Sequence, residues 1–159
     1  MKIKAAVLYE MGKPRPYYES KPLQIEEVDL NAPGCNEVLV KVRAAGLCHS
    51  DLSVIDGSRV RPLPMVIGHE ASGEVMECGA GVTDLKYGDH VIFSFVPMCG
   101  HCIPCKTGRP ALCEPGAAAN TKGTLLNGGV QLKNHNLHNL HHHLGVSAFA
   151  EYVVASRRS

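Results

Sequence analysis

Residues Glu37–Ala45 read EVLVKVRAA and carry the clearest secondary-structure pattern in the sequence. Val38, Val40 and Val42 fall on one face of this segment, and charged side chains fall on the other. Alternation with a period of two residues is typical of a β-strand that is buried on one side. The segment therefore predicts a half-buried strand.

Shorter segments of similar character lie on both sides of this strand. The sequence has 16 glycines and 10 prolines but no tryptophan, a composition that favours many short strands joined by tight turns. The further predicted strands are Lys2–Glu10, Leu23–Val28, Ala71–Cys78, Asp89–Val96 and Ala148–Ala155. We therefore expect a mainly β fold.

Two segments break the strand pattern. Cys48–Ile55 does not alternate, and Ser50 is placed to cap a short helix that runs toward Gly57. Pro97–Gly145 shows no sustained periodicity and is predicted to be a loop. A loop of this length needs an internal staple or a function to be ordered.

Length and charge exclude several classes of protein. With 159 residues, the chain is expected to form one principal domain. Its 16 basic and 15 acidic residues give a formal net charge of +1, so no nucleic acid or membrane partner is expected. The apolar run Ala5–Leu8 is too short for a signal peptide or a membrane span, and a cytoplasmic location is the expectation.

Four of the seven cysteines crowd into one segment, Cys99-x2-Cys102-x2-Cys105-x7-Cys113. Four thiolates at this spacing can close a tetrahedron around one ion, and zinc prefers such ligands and such geometry. Because sulfur would fill all four positions, no position is left for water or substrate. The prediction is a structural zinc that braces the loop at residues 97–115.

Three alternatives would use the same cysteines. A pair of disulfides is disfavoured in a reducing cytoplasm. An iron–sulfur cluster matches the x2 spacing, but no proline follows the last cysteine and the final gap has seven residues. A zinc ribbon that binds nucleic acid would need two more distant CxxC pairs and a basic face. Zinc in a structural role is favoured over all three.

The remaining cysteines and a histidine-rich tract are assigned ordinary structural roles. Five of the nine histidines lie between His135 and His143, and tracts of this kind sometimes bind metal. A polar loop is the prediction there, because no further ligand pattern accompanies them. Cys35 and Cys78 are predicted to be packing residues.

A second group of motifs surrounds Cys48 and His69. In isolation, Cys48 would be interpreted as a small buried residue and His69 as a hydrogen-bonded polar one. The motifs are CHSD at 48–51, GHEASGEV at 68–75, GAGV at 79–82 and GDHV at 88–91. In this order, with the four-cysteine segment downstream, they closely resemble the signature of the zinc-dependent alcohol dehydrogenases, a medium-chain dehydrogenase/reductase family. The resemblance covers nearly the whole chain.

The resemblance implies a fold and a catalytic metal. In that family the corresponding portion is an irregular β-barrel similar to the co-chaperonin GroES, so residues 1–159 would form a GroES-like catalytic domain. Cys48 and His69 would be two ligands of a catalytic zinc with an open coordination position. Such a zinc remains electrophilic enough to bind an alcohol oxygen.

The resemblance also implies roles for five neighbouring residues. Ser50 would accept the alcohol proton, and Asp51 would orient the histidine ligand. Glu70 would be the acidic residue behind the zinc, Phe95 would line the substrate pocket, and His49 would contact the cofactor pyrophosphate.

Two positions depart from the family pattern. Ser53 stands where some members have a histidine that ends the proton relay, so the proton's exit route differs or is missing. His49 stands where some members have an arginine, which holds phosphate more firmly than a partly charged histidine does.

The cofactor platform of a dehydrogenase is not found in these residues. There is no Gly-x-Gly-x-x-Gly motif and no βαβ alternation, and the family's third catalytic ligand, a second cysteine, would lie beyond Ser159. We therefore expect the catalytic-domain portion of an enzyme that converts alcohols to aldehydes or ketones with hydride transfer to NAD(P), inactive by itself, whose full-length relatives are oligomeric. The alternative is a stand-alone zinc-stabilised β-barrel that serves as a binding or interaction module.

Overall fold

The computed structural model describes all residues from 1 to 159. The strands are β1 (Lys2–Leu8), β2 (Leu23–Leu30), β3 (Glu37–Gly46), β4 (Met65–Val66), β5 (Glu70–Cys78), β6 (His90–Ile92), β7 (Leu132–Lys133), β8 (Asn139–His142) and β9 (Tyr152–Ser156). The helices are α1 (Tyr17–Ser20), α2 (His49–Ile55), α3 (Ile103–Lys106) and α4 (Glu114–Lys122), with a 3₁₀ turn at Pro110–Leu112. No helix of the structure has the length and apolar character that a membrane span requires.

Five strands close into a barrel in the order β1-β2-β7-β8-β4, and β4 pairs back onto β1. All neighbouring strands in the barrel are antiparallel except β4 and β8. Alternate residues of β1, namely Ile3, Ala5 and Val7, share a buried core cluster with Val28 and Leu30 of β2. The prediction of a mainly β fold is confirmed.

The other four strands form a sheet in the order β6-β5-β3-β9. The strand predicted at Glu37–Ala45 is β3, but the strand does not have one apolar buried face and one face exposed to solvent along its whole length. Leu39 belongs to the barrel core, and Glu37 is only 2% exposed. The Glu37 carboxylate accepts hydrogen bonds from the side chains of Asn127 and Gln131, both at 2.8 Å. The prediction of a half-buried strand is therefore wrong for its first residues, because the polar face meets a second layer of protein instead of water.

The helix predicted after Cys48 is α2, but the expectation that Ser50 caps it is wrong. Cys48 occupies the cap position with an extended backbone, and its N–H donates to the Asp51 carboxylate at 3.1 Å. Ser50 lies within the first turn. A carboxylate three residues after the cap satisfies the cap's own N–H, which anchors Cys48 beside Asp51.

The prediction of a continuous loop over Pro97–Gly145 is also wrong. That segment contains α3, the 3₁₀ turn, α4, β7 and β8. These elements have between two and nine residues, too few to show a sustained period. The helix α4 begins after Cys113, whose sulfur accepts the Gly116 N–H at 3.4 Å, and it ends at Gly123 in the left-handed conformation.

The segment just before β9, which includes Ala148 and Phe149, joins the sheet to the barrel through backbone hydrogen bonds. The N–H of Phe149 donates to the Ile67 carbonyl at 3.0 Å, and the N–H of Ala6 donates to the Phe149 carbonyl at 2.8 Å. The N–H of Ala148 donates to the Gly68 carbonyl at 2.8 Å. These bonds hold the start of β5 against the barrel.

Candidate metal centres and active site

The four cysteines of residues 97–115 converge in the structure. The sulfur atoms of Cys99, Cys102, Cys105 and Cys113 all lie within 4.8 Å of one another, and all seven cysteines are free. The backbone N–H groups of Cys99 and Gly116 donate to the sulfur of Cys113, at 3.2 and 3.4 Å.

The chemistry of the four thiols fits a divalent cation. Desolvation raises the pKa of the Cys105 thiol to about 12, and the neighbouring thiols of Cys102, Cys113 and Cys99 raise it too. At Cys99 desolvation also raises the pKa, but hydrogen bonds from the N–H groups of His101 and Cys102, together with those from the Cys102 and Cys113 thiols, outweigh it and lower the pKa to about 6. Four sulfurs this close can all be thiolates only around a cation, and tetrahedral zinc matches that need.

A second cluster lies where α2 begins and β5 starts. The Cys48 sulfur, a His69 ring nitrogen and a Glu70 carboxylate oxygen lie within 4.8 Å of one another. His69 is buried, Cys48 is half-buried and Glu70 is exposed. One thiolate, one imidazole and one carboxylate form a donor set that zinc accepts. The fold thus brings together the two ligands that the resemblance implied and places Glu70 beside them.

The Asp51 carboxylate lies behind this cluster and is 3% exposed. One of its oxygens is 3.2 Å from His69 Nδ1 and accepts the Gly68 N–H at 3.2 Å, while the other accepts the Cys48 N–H. Burial opposes ionisation, but His143, His69 and the Cys48 N–H outweigh it and hold the pKa of Asp51 well below its usual range. An ionised Asp51 fixes the His69 proton on Nδ1 and leaves Nε2 to bind a metal.

His143 is a member of this site that the sequence analysis missed. Its ring is 1% exposed, Nδ1 lies 3.0 Å from Asp51 Oδ1, and its ring meets that of His69 edge to face at 5.2 Å. Burial lowers the pKa of His143, although Asp51 opposes that effect. The prediction that the histidine tract is a polar loop is therefore wrong, since His142 is buried as well. The triple histidine His141–His143 was the only available signal.

The other cysteines have different surroundings. Cys78 packs against the core of the four-stranded sheet, as predicted. Cys35 is exposed, so its prediction as a packing residue is wrong. Neither belongs to a metal cluster.

A cavity of about 320 Å³ opens onto the second cluster. Its lining includes Cys48, Ser50, His69, Glu70 and Phe95, so five of the predicted site residues share one wall. The Phe95 ring lies 6.0 Å from that of His69 and is 54% exposed. Val96, next to Phe95, also lines the cavity. The rest of the lining comes from three other parts of the chain, namely Arg59 and Arg61, then Ala111, Ala117, Asn120 and Thr121, and finally Leu144. The sequence analysis had given Arg59 and Arg61 no role.

His49 does not line this cavity. It is exposed on α2, and its Nδ1 lies 3.5 Å from the Ser53 hydroxyl, which donates to the His49 carbonyl at 3.0 Å. The structure therefore separates His49 from the metal cluster and directs it to the surface.

The fold and these two clusters define a class: a GroES-like β-barrel domain with a four-cysteine cluster and, in a cavity, a second cluster of candidate metal ligands. The chain belongs to the family described as the alcohol dehydrogenase GroES-like domain, which matches residues 34–159.

Three similar proteins bear on this membership. The chain is 49% identical over 130 residues to the NDMA-dependent alcohol dehydrogenase of Amycolatopsis methanolica, covering 82% of this chain and 31% of that protein. It is 40% identical over 160 residues to the S-(hydroxymethyl)glutathione dehydrogenase of a Synechocystis species, covering 100% of this chain and 41% of that protein. The crystal structure of an alcohol dehydrogenase zinc-binding domain protein from Burkholderia ambifaria superposes with a TM-score of 0.87 at 38% identity, covering 99% of this chain and 40% of that one. The chain thus spans well under half the length of these relatives.

Proposed function

We propose that this chain is the catalytic-domain portion of a zinc-dependent alcohol dehydrogenase. The complete enzyme would oxidise a small primary or secondary alcohol to an aldehyde or ketone and transfer the hydride to NAD(P). The observation that carries the proposal is the cavity shared by Cys48, His69 and Ser50, with the Asp51 carboxylate behind His69. A module braced by the four-cysteine centre alone would have no use for this second cluster.

Two zinc ions are part of the proposal. Cys99, Cys102, Cys105 and Cys113 would hold the structural one. Cys48 and His69 would hold the catalytic one, with Glu70 close enough to contribute and a cysteine outside these residues as the family's further ligand. When bound there, zinc supplies a Lewis acid for the alcohol hydroxyl.

The chain's own residues would orient the alcohol and move its proton. Ser50 lines the cavity beside Cys48 and His69, so its hydroxyl can accept the substrate proton while it passes its own outward. Phe95 would cover the apolar part of the alcohol. A nicotinamide cofactor held by a domain outside these residues would supply the hydride acceptor that balances the two-electron oxidation of the alcohol.

The residues around the two clusters bear on the exit route of the substrate proton and on the cellular compartment of the protein. His49 lies at the surface next to Ser53, where an exposed imidazole can exchange protons with water. It could also contact the cofactor pyrophosphate from that position. The four-cysteine centre requires reduced thiols, which supports a reducing, cytoplasmic compartment.

The test is hydride transfer in a chimera. This chain would replace the matching domain of the Burkholderia ambifaria protein, with which it superposes over 99% of its length. We expect alcohol-dependent NAD(P)H formation by the chimera and none by the 159-residue chain alone. The His69→Ala chimera should retain the structural zinc and lose turnover. A folded chimera with two zinc ions and no turnover on a panel of primary and secondary alcohols would contradict the proposal.

A further inference from the structure

Two arginines line the cavity that contains Cys48 and His69. Arg59 and Arg61 lie in the segment between α2 and β4, and both contribute to the wall of the 320 Å³ cavity. The Arg59 backbone is fixed by a hydrogen bond from its N–H to the Ser53 carbonyl at 2.8 Å. The backbone of Arg59 is therefore tied to the helix that carries Ser50.

Neither guanidinium has a partner within the chain. The five ion pairs of the molecule include neither Arg59 nor Arg61. The Nε of Arg61 is buried and makes no hydrogen bond. Burial lowers the pKa of Arg61, and the positive charge of Arg59 lowers it further. Two like charges are thus held near each other, one of them partly desolvated.

The cavity offers no carboxylate that pairs with them. Glu70 is its only acidic lining residue, and it lies with the metal cluster, within 4.8 Å of Cys48 and His69 ligand atoms. Asp51 is taken up by His69, Gly68 and Cys48. A buried donor without a partner destabilises the fold, and a bound anion would remove that cost.

We propose that Arg59 and Arg61 bind an anionic group of the substrate, so that the site takes alcohols that carry a carboxylate or a phosphate. This substrate class rests on the proposed function. A planar guanidinium forms two parallel hydrogen bonds to either group, and two of them would fix an alcohol by the end opposite its hydroxyl. The volume of the cavity suits a small ligand of this kind.

The experiment measures binding of matched probes to the zinc-loaded 159-residue chain. The probes are 4-(hydroxymethyl)benzoate, 4-(hydroxymethyl)phenyl phosphate and the neutral 4-methylbenzyl alcohol. Nitrogen-15 NMR gives the dissociation constants and reports directly on the Nε–H signals of Arg59 and Arg61. We expect at least one anion to bind about tenfold or more tightly than the neutral alcohol and to shift the Arg61 signal.

Variants separate charge from folding. The doubly substituted Arg59→Gln, Arg61→Gln chain should bind all three probes alike, whereas the Arg59→Lys, Arg61→Lys chain should keep a weaker preference for anions. The control is Arg15→Gln, which removes an arginine that packs over Tyr17 outside the cavity. It should leave the preference unchanged. An anion preference that survives the double glutamine substitution would overturn the proposal.

Two further arms identify the source of the anion and separate the hypotheses. ADP-ribose is the phosphate-bearing part of NAD. If the double glutamine substitution weakens the binding of ADP-ribose but not that of the benzoate, the arginines serve the cofactor and the proposal is wrong. Equal binding of the neutral alcohol and both anions would refute the substrate class and leave the proposed dehydrogenase intact. Failure of Cys48 and His69 to bind zinc in the folded chimera would instead refute the dehydrogenase, and the anion preference can still be read in the metal-free chain.

Discussion

At the scale of single residues, the Asp51 carboxylate connects the parts of the second metal cluster. It accepts hydrogen bonds from the N–H groups of Cys48 and Gly68, and it lies 3.2 Å from Nδ1 of His69. Those three residues come from the start of α2 and from the segment before β5. One buried charge therefore sets the position of both cysteine and histidine ligands, and it also fixes which nitrogen of His69 carries the proton.

Replacing Asp51 tests this role through metal affinity. Asp51→Asn keeps the size of the side chain but removes the charge, so we expect zinc affinity at Cys48 and His69 to fall about 10- to 100-fold. Zinc titration against a chromophoric chelator measures both sites in one experiment. The four-cysteine site should be unaffected.

The matched control for that prediction is Asp56→Asn. Asp56 stands at the other end of α2, where its carboxylate bonds only to Ser58. The control should bind zinc like the unmodified chain. Equal affinities for the two variants would show that Asp51 does not orient the ligands.

At the scale of elements, the tight junction before β5 determines where His69 lies. Gly68 has a φ of +90°, and a Cβ added there would lie 2.4 Å from the Phe149 ring and 2.6 Å from its backbone nitrogen. Both the left-handed conformation and the missing side chain are therefore required. The resemblance named this glycine as part of a motif, but the close approach of Phe149 explains it.

Paired substitutions separate the conformational cost from the steric one. Gly88 has a nearly equal φ of +86° with nothing within 4 Å of an added Cβ. Gly88→Ala should lower the free energy of unfolding by about 1–2 kcal/mol, the cost of a left-handed alanine. Gly68→Ala should lower it by a further 1–3 kcal/mol or so, because Phe149 has to move. Urea unfolding measures both, and equal losses would mean that the Phe149 contact is unimportant.

At the scale of the whole molecule, the barrel and the four-cysteine segment differ in how much apolar surface they bury. The barrel buries a core cluster of 11 residues that includes Ile3, Val7, Leu30 and Leu140. The segment at 97–115 has only two buried residues, Pro97 and Cys113, and its other positions are half-buried or exposed. We therefore expect this segment to depend on metal–sulfur bonds, whereas the barrel depends on apolar burial.

Removing one thiol tests that division. Cys105→Ser should lose the tightly held zinc and expose residues 97–115 to proteases, while the barrel keeps its cooperative unfolding transition. Cys35→Ser is the control, because Cys35 is exposed and outside both metal clusters. Zinc per chain and limited proteolysis are the measurements. Unchanged zinc content and unchanged cleavage in Cys105→Ser would contradict the bracing role.

The sequence by itself predicted what is encoded locally. Strand β3 followed from alternation, the four-cysteine centre followed from ligands spaced within fifteen residues, and the motifs around Cys48 and His69 pointed to the family. Short elements such as α4 and β7 escaped because a period needs more residues than they contain.

Only the tertiary structure decided which distant residues meet. His143 lies 74 positions after His69, the difference of their numbers, yet their rings are in contact, and Arg59 and Arg61 face the cavity from a segment with no pattern of its own. The burial of Glu37 likewise depends on Asn127 and Gln131. The spacing of residues in the sequence shows which side chains are close along the chain. Packing, burial and charge pairing depend instead on long-range contacts that form only when the barrel closes.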